Sequence, residues 1–365
     1  MTALNILFSV FGILLIAVLA IAGWFVYTMR WITVRTDKDR YFSLLLNERI
    51  TLRSVIQSKA KRITAILDVL VKFGFKVPIV EYKGVKVPPV CSVETMAFAH
   101  HYEPSSDDIF IATQMKCGTT WMQQIVFEIL CRGEGDLTDT GYRHLYAVSP
   151  WIESNGSVSL QDAPLVGVEQ KRIVKTHLDA GLCPWSSSTK YIYVARHPGA
   201  CLASAKDFVT MLMGGYMMKP DEFIDWFCSD DMWWRTWADH VDGWWRLSEE
   251  KENILFVHYE EMLECPRDFV AAIAEFLGVK LTDEEISRVV QRSSYQFMKE
   301  NELVFEMSPP TPFDTGAGSF FVKGTGDRGK DLSDSDTRRV YEFCREKLAS
   351  STYPLGKYYP DVAGN

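Results

Sequence analysis

Residues 3–27 are almost unbroken in Leu, Ile, Val, Ala and Phe, and no charged side chain appears before Arg30. About twenty apolar residues suffice to cross a bilayer as a helix. Trp24, Tyr27 and Trp31 fall where aromatic anchors meet headgroups. From 41 to 73 the pattern changes. Leu44, Ile50, Ile56, Ile63, Leu67 and Val71 recur among charges, which predicts an amphipathic helical linker, lying on the body or along a membrane surface. Val77-Pro78 and Val87-Pro88-Pro89 break it and mark entry into a domain. Beyond them, short β-prone runs at 109–115, 171–178, 190–196 and 254–259 alternate with helical patterns, including one opened by Pro266. Alternation of this kind predicts an α/β domain with a mainly parallel sheet. The expected organisation is an anchor at 1–29, a linker at 30–90 and a catalytic domain at 91–365.

Composition narrows the options. A chain of 365 residues with 47% apolar content and eleven Trp has room for one large packed domain. Residues 30–86 hold thirteen Lys/Arg against five Asp/Glu, a net of +8; the whole chain carries −8, so the remainder carries −16. An acidic body argues against nucleic acid as a partner. Eight cysteines form no C-x-x-C pair and are read as scattered reduced thiols. Ala20-Ile21-Ala22 looks like a signal-peptidase site, but no basic region precedes it and the apolar run is too long. Arg30, Arg35, Lys38 and Arg40 follow the span, which puts the body on the cytoplasmic side by the positive-inside rule. Asn155-Gly156-Ser157, a formal glycosylation acceptor, matters only for a lumenal body.

The most informative chemistry lies at Lys116-Cys117-Gly118-Thr119-Thr120-Trp121. A strand runs into this loop and a helix runs out of it. Backbone N–H groups at a helix N-terminus favour a bound anion. Lys116 adds a full charge, and Thr119 and Thr120 add hydroxyl donors. The lysine precedes the glycine, whereas the common nucleotide-triphosphate loop has it after the last glycine.

This order resembles the loop of the sulfotransferase family, which holds the 5′-phosphosulfate end of 3′-phosphoadenosine 5′-phosphosulfate (PAPS). The similarity continues in the family's order along the chain from about Ile109 to Lys330. Arg172-Ile173-Val174-Lys175-Thr176-His177-Leu178 is similar to the family's K-T-H-L segment. By that match His177 is the catalytic base and Lys175 contacts the transferring sulfonate. Asp179 replaces the family's proline, and either orients His177 or faces water. Tyr193-Val194-Ala195-Arg196 followed by Ser204 resembles the 3′-phosphate signature, with His197 and Ala200 in place of the usual asparagine and aspartate. Tyr259 matches the tyrosine that contacts adenine. Ser293, Tyr295 and Met298 match a nucleotide-side segment, with Trp121 on the other adenine face. Lys323 and Gly324 match the last phosphate motif, where Val322 stands in place of arginine and the spacer is one residue short.

The resemblance implies a P-loop-like three-layer α/β/α fold. It implies sulfonate transfer from PAPS to a hydroxyl or amine, with Lys116, Lys175 and His177 catalytic. No carboxylate pair accompanies the loop, so no metal is required. The aromatic and methionine-rich stretch 209–250 points to a small hydrophobic alcohol, phenol or lipid as acceptor, and Met213 to Met218 to a mobile loop over it. Trp244 and Trp245 are expected in the core. Two alternatives stand beside this reading. One is a nucleotide-kinase-like enzyme. The other is a membrane-tethered, inactive binding protein of the same fold, favoured by Val322. Many membrane-anchored relatives face the Golgi lumen, which is the alternative to a cytoplasmic body. Cys117, where the family has serine or alanine, is either a small-residue replacement or an oxidation-sensitive point.

Overall fold

The computed structural model describes residues 3–74, 78–138, 141–213, 217–219, 221–306, 309–316, 320–322, 324 and 327–364. A hairpin of β1 (Val80–Tyr82) and β2 (Val85–Val87) precedes the main sheet. That sheet contains β3 (Asp108–Thr113), β4 (Arg172–Thr176), β5 (Lys190–Ala195) and β6 (Ile254–His258), all parallel, in the order β4-β3-β5-β6.

Side chains alternate between the faces of a strand, and here both faces are apolar. Ile109, Ile111, Ile173, Ile192 and Val194 point to one side. They meet Met122 and Val126 of the helix Thr119–Leu130, Val270 and Ile273 of Pro266–Leu277, and Val289 of Asp283–Arg292. Phe110, Ala112, Val174, Tyr191 and Tyr193 point to the other side. There they meet Leu202 and Val209 of Pro198–Met213, Trp237 and Val241 of Trp237–Glu250, and Val340 of Asp334–Lys347. Burial on both faces is what a parallel sheet requires, and the result is the expected three layers. Trp244 is fully buried and Trp245 packs against the core from its margin.

Two features position the site. Strand β3 is followed by β4 on one side and, after a crossover, by β5 on the other, so the loops leaving their C-terminal ends diverge. Ligands bind in such a crevice. Second, the polar stretch after Gly133 is not an excursion into solvent. Its segment at Trp151 lies beside β4, with the N–H of Ile152 donating to Lys175 O (3.0 Å) and the N–H of Lys175 to Pro150 O (2.9 Å).

Upstream, one helix spans Ala3–Arg35 and another Leu46–Lys72. The second helix docks on the body. Its Arg53 is paired with Asp314 (2.6 Å) and Glu306 (3.0 Å), and Arg49 donates to Arg143 O (2.9 Å). Tyr41, Phe42, Val85 and Val87 belong to the same core cluster as the central strands, so the packed body begins well before residue 91. The apolar spacing of this region identified a helix; nothing in it showed that arginines would face inward.

Candidate active site

The C-terminal ends of all four parallel strands converge on one cavity of about 800 Å³. Strand β3 delivers the loop that begins at Lys116. Gly118, the residue capping the helix Thr119–Leu130, has φ of 102°, a left-handed conformation natural to glycine. A Cβ there would lie 2.7 Å from the Tyr259 ring, so the backbone approaches Tyr259 more closely than any side chain permits. Lys116 is also left-handed (φ 65°) and extends its ammonium over the Phe208 ring, 4.0 Å from the centroid. Lys116, Gly118, Thr119, Thr120 and Trp121 all line the cavity.

Strand β4 delivers Lys175 and His177. The N–H of His177 donates to Glu153 Oε1 (2.6 Å), and the Thr176 hydroxyl donates to Glu153 Oε2 (3.0 Å). Nδ1 of His177 lies 2.9 Å from Thr113 O and 3.2 Å from the Thr113 hydroxyl, which meets the Thr119 hydroxyl at 2.6 Å. A carbonyl oxygen only accepts, so Nδ1 carries the proton and Nε2 is the basic nitrogen. Trp151 and Trp234 pack against the ring at centroid distances of 5.1 and 4.8 Å. Burial, then the charge of Lys175, hold the imidazole pKa well below its ordinary value and keep it neutral at physiological pH. Behind it, His240 Nε2 donates to His177 O (3.0 Å) and its Nδ1 accepts from the Tyr193 hydroxyl (2.8 Å). Lys175 is itself buried, donates to the Tyr146 hydroxyl (2.9 Å) and lies over the Trp151 ring at 4.0 Å.

Strand β5 delivers Arg196. Its guanidinium donates to Lys116 O (3.0 Å) and stacks 4.4 Å over the Tyr259 ring, linking the β3, β5 and β6 ends. Ser204, two turns into the next helix, faces the same cavity, as do Tyr295, Met298 and Gly324. Tyr295 lies directly on Gly324, where a Cβ would meet the ring at 2.1 Å.

Several sequence expectations meet a different geometry. Asp179 neither orients His177 nor faces water; it accepts from Gly181 N–H (2.8 Å) and pairs with Arg235 (3.4 Å) in a buried turn. Cys117 is buried away from the cavity, its sulfur 3.8 Å from that of Cys201, and all eight cysteines are free thiols. Ser293 contributes its carbonyl, which accepts from Trp121 Nε1 (2.8 Å), while its hydroxyl is tied to Val289 O (2.7 Å). His197 uses its ring to hold Asp361 near the C-terminus (3.1 Å). Lys323 and the glycines at 214 and 215 lie outside the described residues. Conversely, Glu153, Thr113, Trp151 and Trp234 surround His177 and were not singled out in sequence. Glu153 sits 24 positions from His177 in an irregular segment with no periodic signal.

The lining also includes the apolar side chains of Val90, Trp151, Trp233, Met211 and Leu212. The site therefore combines cationic side chains and a helix N-terminus with apolar walls, with the neutral imidazole among the groups lining it.

Comparison with known proteins agrees with this geometry. The sulfotransferase domain model matches residues 106–352. Human sulfotransferase 1C2 is 28% identical over 290 residues, 76% of this chain and 95% of the human protein. The guinea-pig (Cavia porcellus) 3-alpha-hydroxysteroid sulfotransferase is 31% identical over 282 residues, 75% of this chain and 94% of its own length. Among solved structures, mouse sulfotransferase SULT7A1 complexed with PAP superposes with a TM-score of 0.62 at 22% identity, covering 78% of this chain and 99% of the mouse chain. The fold, the matched domain and the relatives together establish that this chain belongs to the sulfotransferase family.

Proposed function

We propose that the enzyme transfers a sulfonate from PAPS to the hydroxyl or amine of a small hydrophobic acceptor, with His177 as base. The carrying observation is the hydrogen bond from His177 Nδ1 to Thr113 O, which leaves Nε2 basic beside the Lys116 loop.

The donor half fits a molecule with two anionic ends. Lys116 and the N-terminus of Thr119–Leu130 suit the 5′-phosphosulfate. Arg196 and Ser204 suit the 3′-phosphate, because a guanidinium donates two parallel hydrogen bonds to such a group. Trp121 and Tyr295 offer aromatic faces for adenine, with Tyr259 and Met298 beside them. Lys323, in the family's last phosphate motif, is assigned to the same end. PAP in the SULT7A1 structure supports this donor. When bound, PAPS supplies a sulfonate on a phosphate leaving group.

The protein's own contribution is proton transfer, charge neutralisation and orientation. His177 Nε2 takes the acceptor proton as the new bond to sulfur forms. Lys116 and the loop N–H groups balance charge on the departing bisphosphate, and Lys175 balances charge on the sulfonate. Trp151 and Trp234 exclude water from the base. The apolar walls, and the steroid named for the guinea-pig relative, support an alcohol or phenol as acceptor. The helix at Phe8–Arg35 is long and apolar enough to span a membrane, and its basic flank supports a cytoplasmic body.

Isothermal titration separates this reading from its rivals. Adenosine 3′,5′-bisphosphate should bind without magnesium and Mg-ATP should not. Preference for Mg-ATP would favour a kinase-like enzyme. Bisphosphate binding with no turnover across phenols, sterols, lipid alcohols and glycans would favour an inactive binding protein.

A further inference from the structure

The helix Ala3–Arg35 has two unlike halves. Phe8, Ile13 and Leu19 are 66%, 67% and 62% exposed, whereas Thr28 and Ile32 are fully buried. The buried half packs Trp24, Phe25 and Met29 around Ile56, Ile63 and Leu67 of Leu46–Lys72. The chain turns back between these helices, and Lys59 lies over the Trp31 ring at 4.8 Å. Further toward the N-terminus Leu14, Ile16, Val18 and Ile21 are all exposed. At the end of Leu46–Lys72, Val69, Leu70 and Phe73 are 51%, 41% and 85% exposed. Both helices thus leave apolar side chains uncovered beyond their packed contact, as a bilayer-facing surface would.

The same cluster includes Leu212 and Met217. Leu212 also lines the active-site cavity. Along Pro198–Met213 the order is Ser204 at the donor end, Phe208 beside the Lys116 ammonium, then Met211 and Leu212 one turn further on. Leu212 therefore lies on the far side of Phe208 from Ser204, and it touches both the cavity and the cluster formed by Ile32, Ile56, Ile63 and Leu67.

We propose that the acceptor is a membrane-resident amphiphile with a hydroxyl group, taken laterally from the bilayer past Leu212. This rests on the sulfonyl-transfer reading and names its substrate class and route. Passage through water would expose every methylene of such a molecule, whereas this route keeps the chain against apolar walls. In the reaction the acceptor O–S bond forms, the bond from sulfur to the bridging phosphate oxygen breaks, and the proton goes to His177 Nε2. Adenosine 3′,5′-bisphosphate leaves, and the sulfated head stays at the surface beside a basic flank that includes Arg30, Arg35 and Lys59.

The test uses the full chain in phosphatidylcholine vesicles with radiosulfur-labelled PAPS and two acceptors, hexadecanol and water-soluble para-nitrophenol. Hexadecanol sulfation should follow its mole fraction in the bilayer, falling as inert phospholipid is added at constant total alcohol, while the para-nitrophenol rate does not change. Leu212→Lys, which sets a charge in an apolar mouth, should lower hexadecanol sulfation at least about tenfold. The thermal shift with adenosine 3′,5′-bisphosphate should persist in that variant. Sulfation of para-nitrophenol but not hexadecanol, or a hexadecanol rate indifferent to dilution, overturns this inference and leaves sulfonyl transfer standing. Sulfation of neither acceptor, with no bisphosphate shift, overturns both.

Discussion

Nδ1 of His177 lies 2.9 Å from the carbonyl oxygen of Thr113. Thr113 ends the strand that feeds the anion loop, and His177 follows the neighbouring strand. One hydrogen bond therefore fixes both the tautomer of the imidazole and its position relative to the Lys116 loop.

Glu153 holds the other side of the same residue. Its carboxyl accepts from His177 N–H and from the Thr176 hydroxyl, and burial raises its pKa while these bonds oppose the rise. In Glu153→Gln an amide NH₂ must face one of two donors, a cost of about 1–3 kcal/mol. The expected result in steady-state kinetics is a fall in kcat of about tenfold or more, with adenosine 3′,5′-bisphosphate affinity retained.

The pH dependence has a definite sign. His144 and His177 are held well below the usual imidazole value, His240 at about 4 and His258 at about 3, each chiefly by burial. Below an unfolded value of about 6.5 the unfolded chain binds protons that the folded chain refuses, so stability falls as pH falls. Glu306, raised to about 7 by burial, works the other way over the same range, so Glu306→Gln should steepen the fall of Tm below about pH 7. The rate of transfer should hold through pH 6, because His177 stays neutral there. Replacing Lys175 with Met removes a charge that depresses the His177 pKa, so the acid limb of the reduced rate should move to higher pH.

Gly118→Ala meets two obstacles, a left-handed φ of 102° and a Tyr259 ring carbon 2.7 Å from the added methyl. Backbone strain alone costs about 1–3 kcal/mol, so calorimetry should find bisphosphate affinity at least about fivefold weaker.

Cys117 is fully buried, and burial, followed by the neighbouring Cys201, pushes its thiol pKa well above the ordinary value. A thiolate is the reactive form. A thiol-blocking reagent should label exposed Cys265 first and leave transfer intact, and Cys117→Ser should remain active. Rapid inactivation that Cys117→Ser abolishes would instead make the loop oxidation-sensitive.

The parts of the fold and site legible in sequence are those encoded locally. The loop at Lys116–Trp121 and the ends of three later strands sit where period and spacing put them, because a parallel strand must end at the sheet's ligand edge, and Arg196 and Ser204, matched through the family resemblance, line the same cavity. What surrounds His177 was not legible. Glu153 comes from an irregular segment whose position depends on pairing beside β4. Trp234 reaches the imidazole only through two consecutive left-handed residues, φ 58° and 77° at Trp234 and Arg235, held by Gln114 donating to Trp233 O and Arg235 O. Asp179 was misplaced because its partner, Arg235, is 56 residues away. The inward-facing Arg49 and Arg53 escaped for the same reason: their partners are distant in sequence.

The most direct test is single-turnover transfer of radiosulfur from labelled PAPS to a hydrophobic alcohol by the full chain and its His177→Ala variant. The account predicts transfer by the native chain, and in the variant a loss of at least about a hundredfold, typical of a removed general base, with adenosine 3′,5′-bisphosphate binding retained. Undiminished transfer by His177→Ala would contradict it.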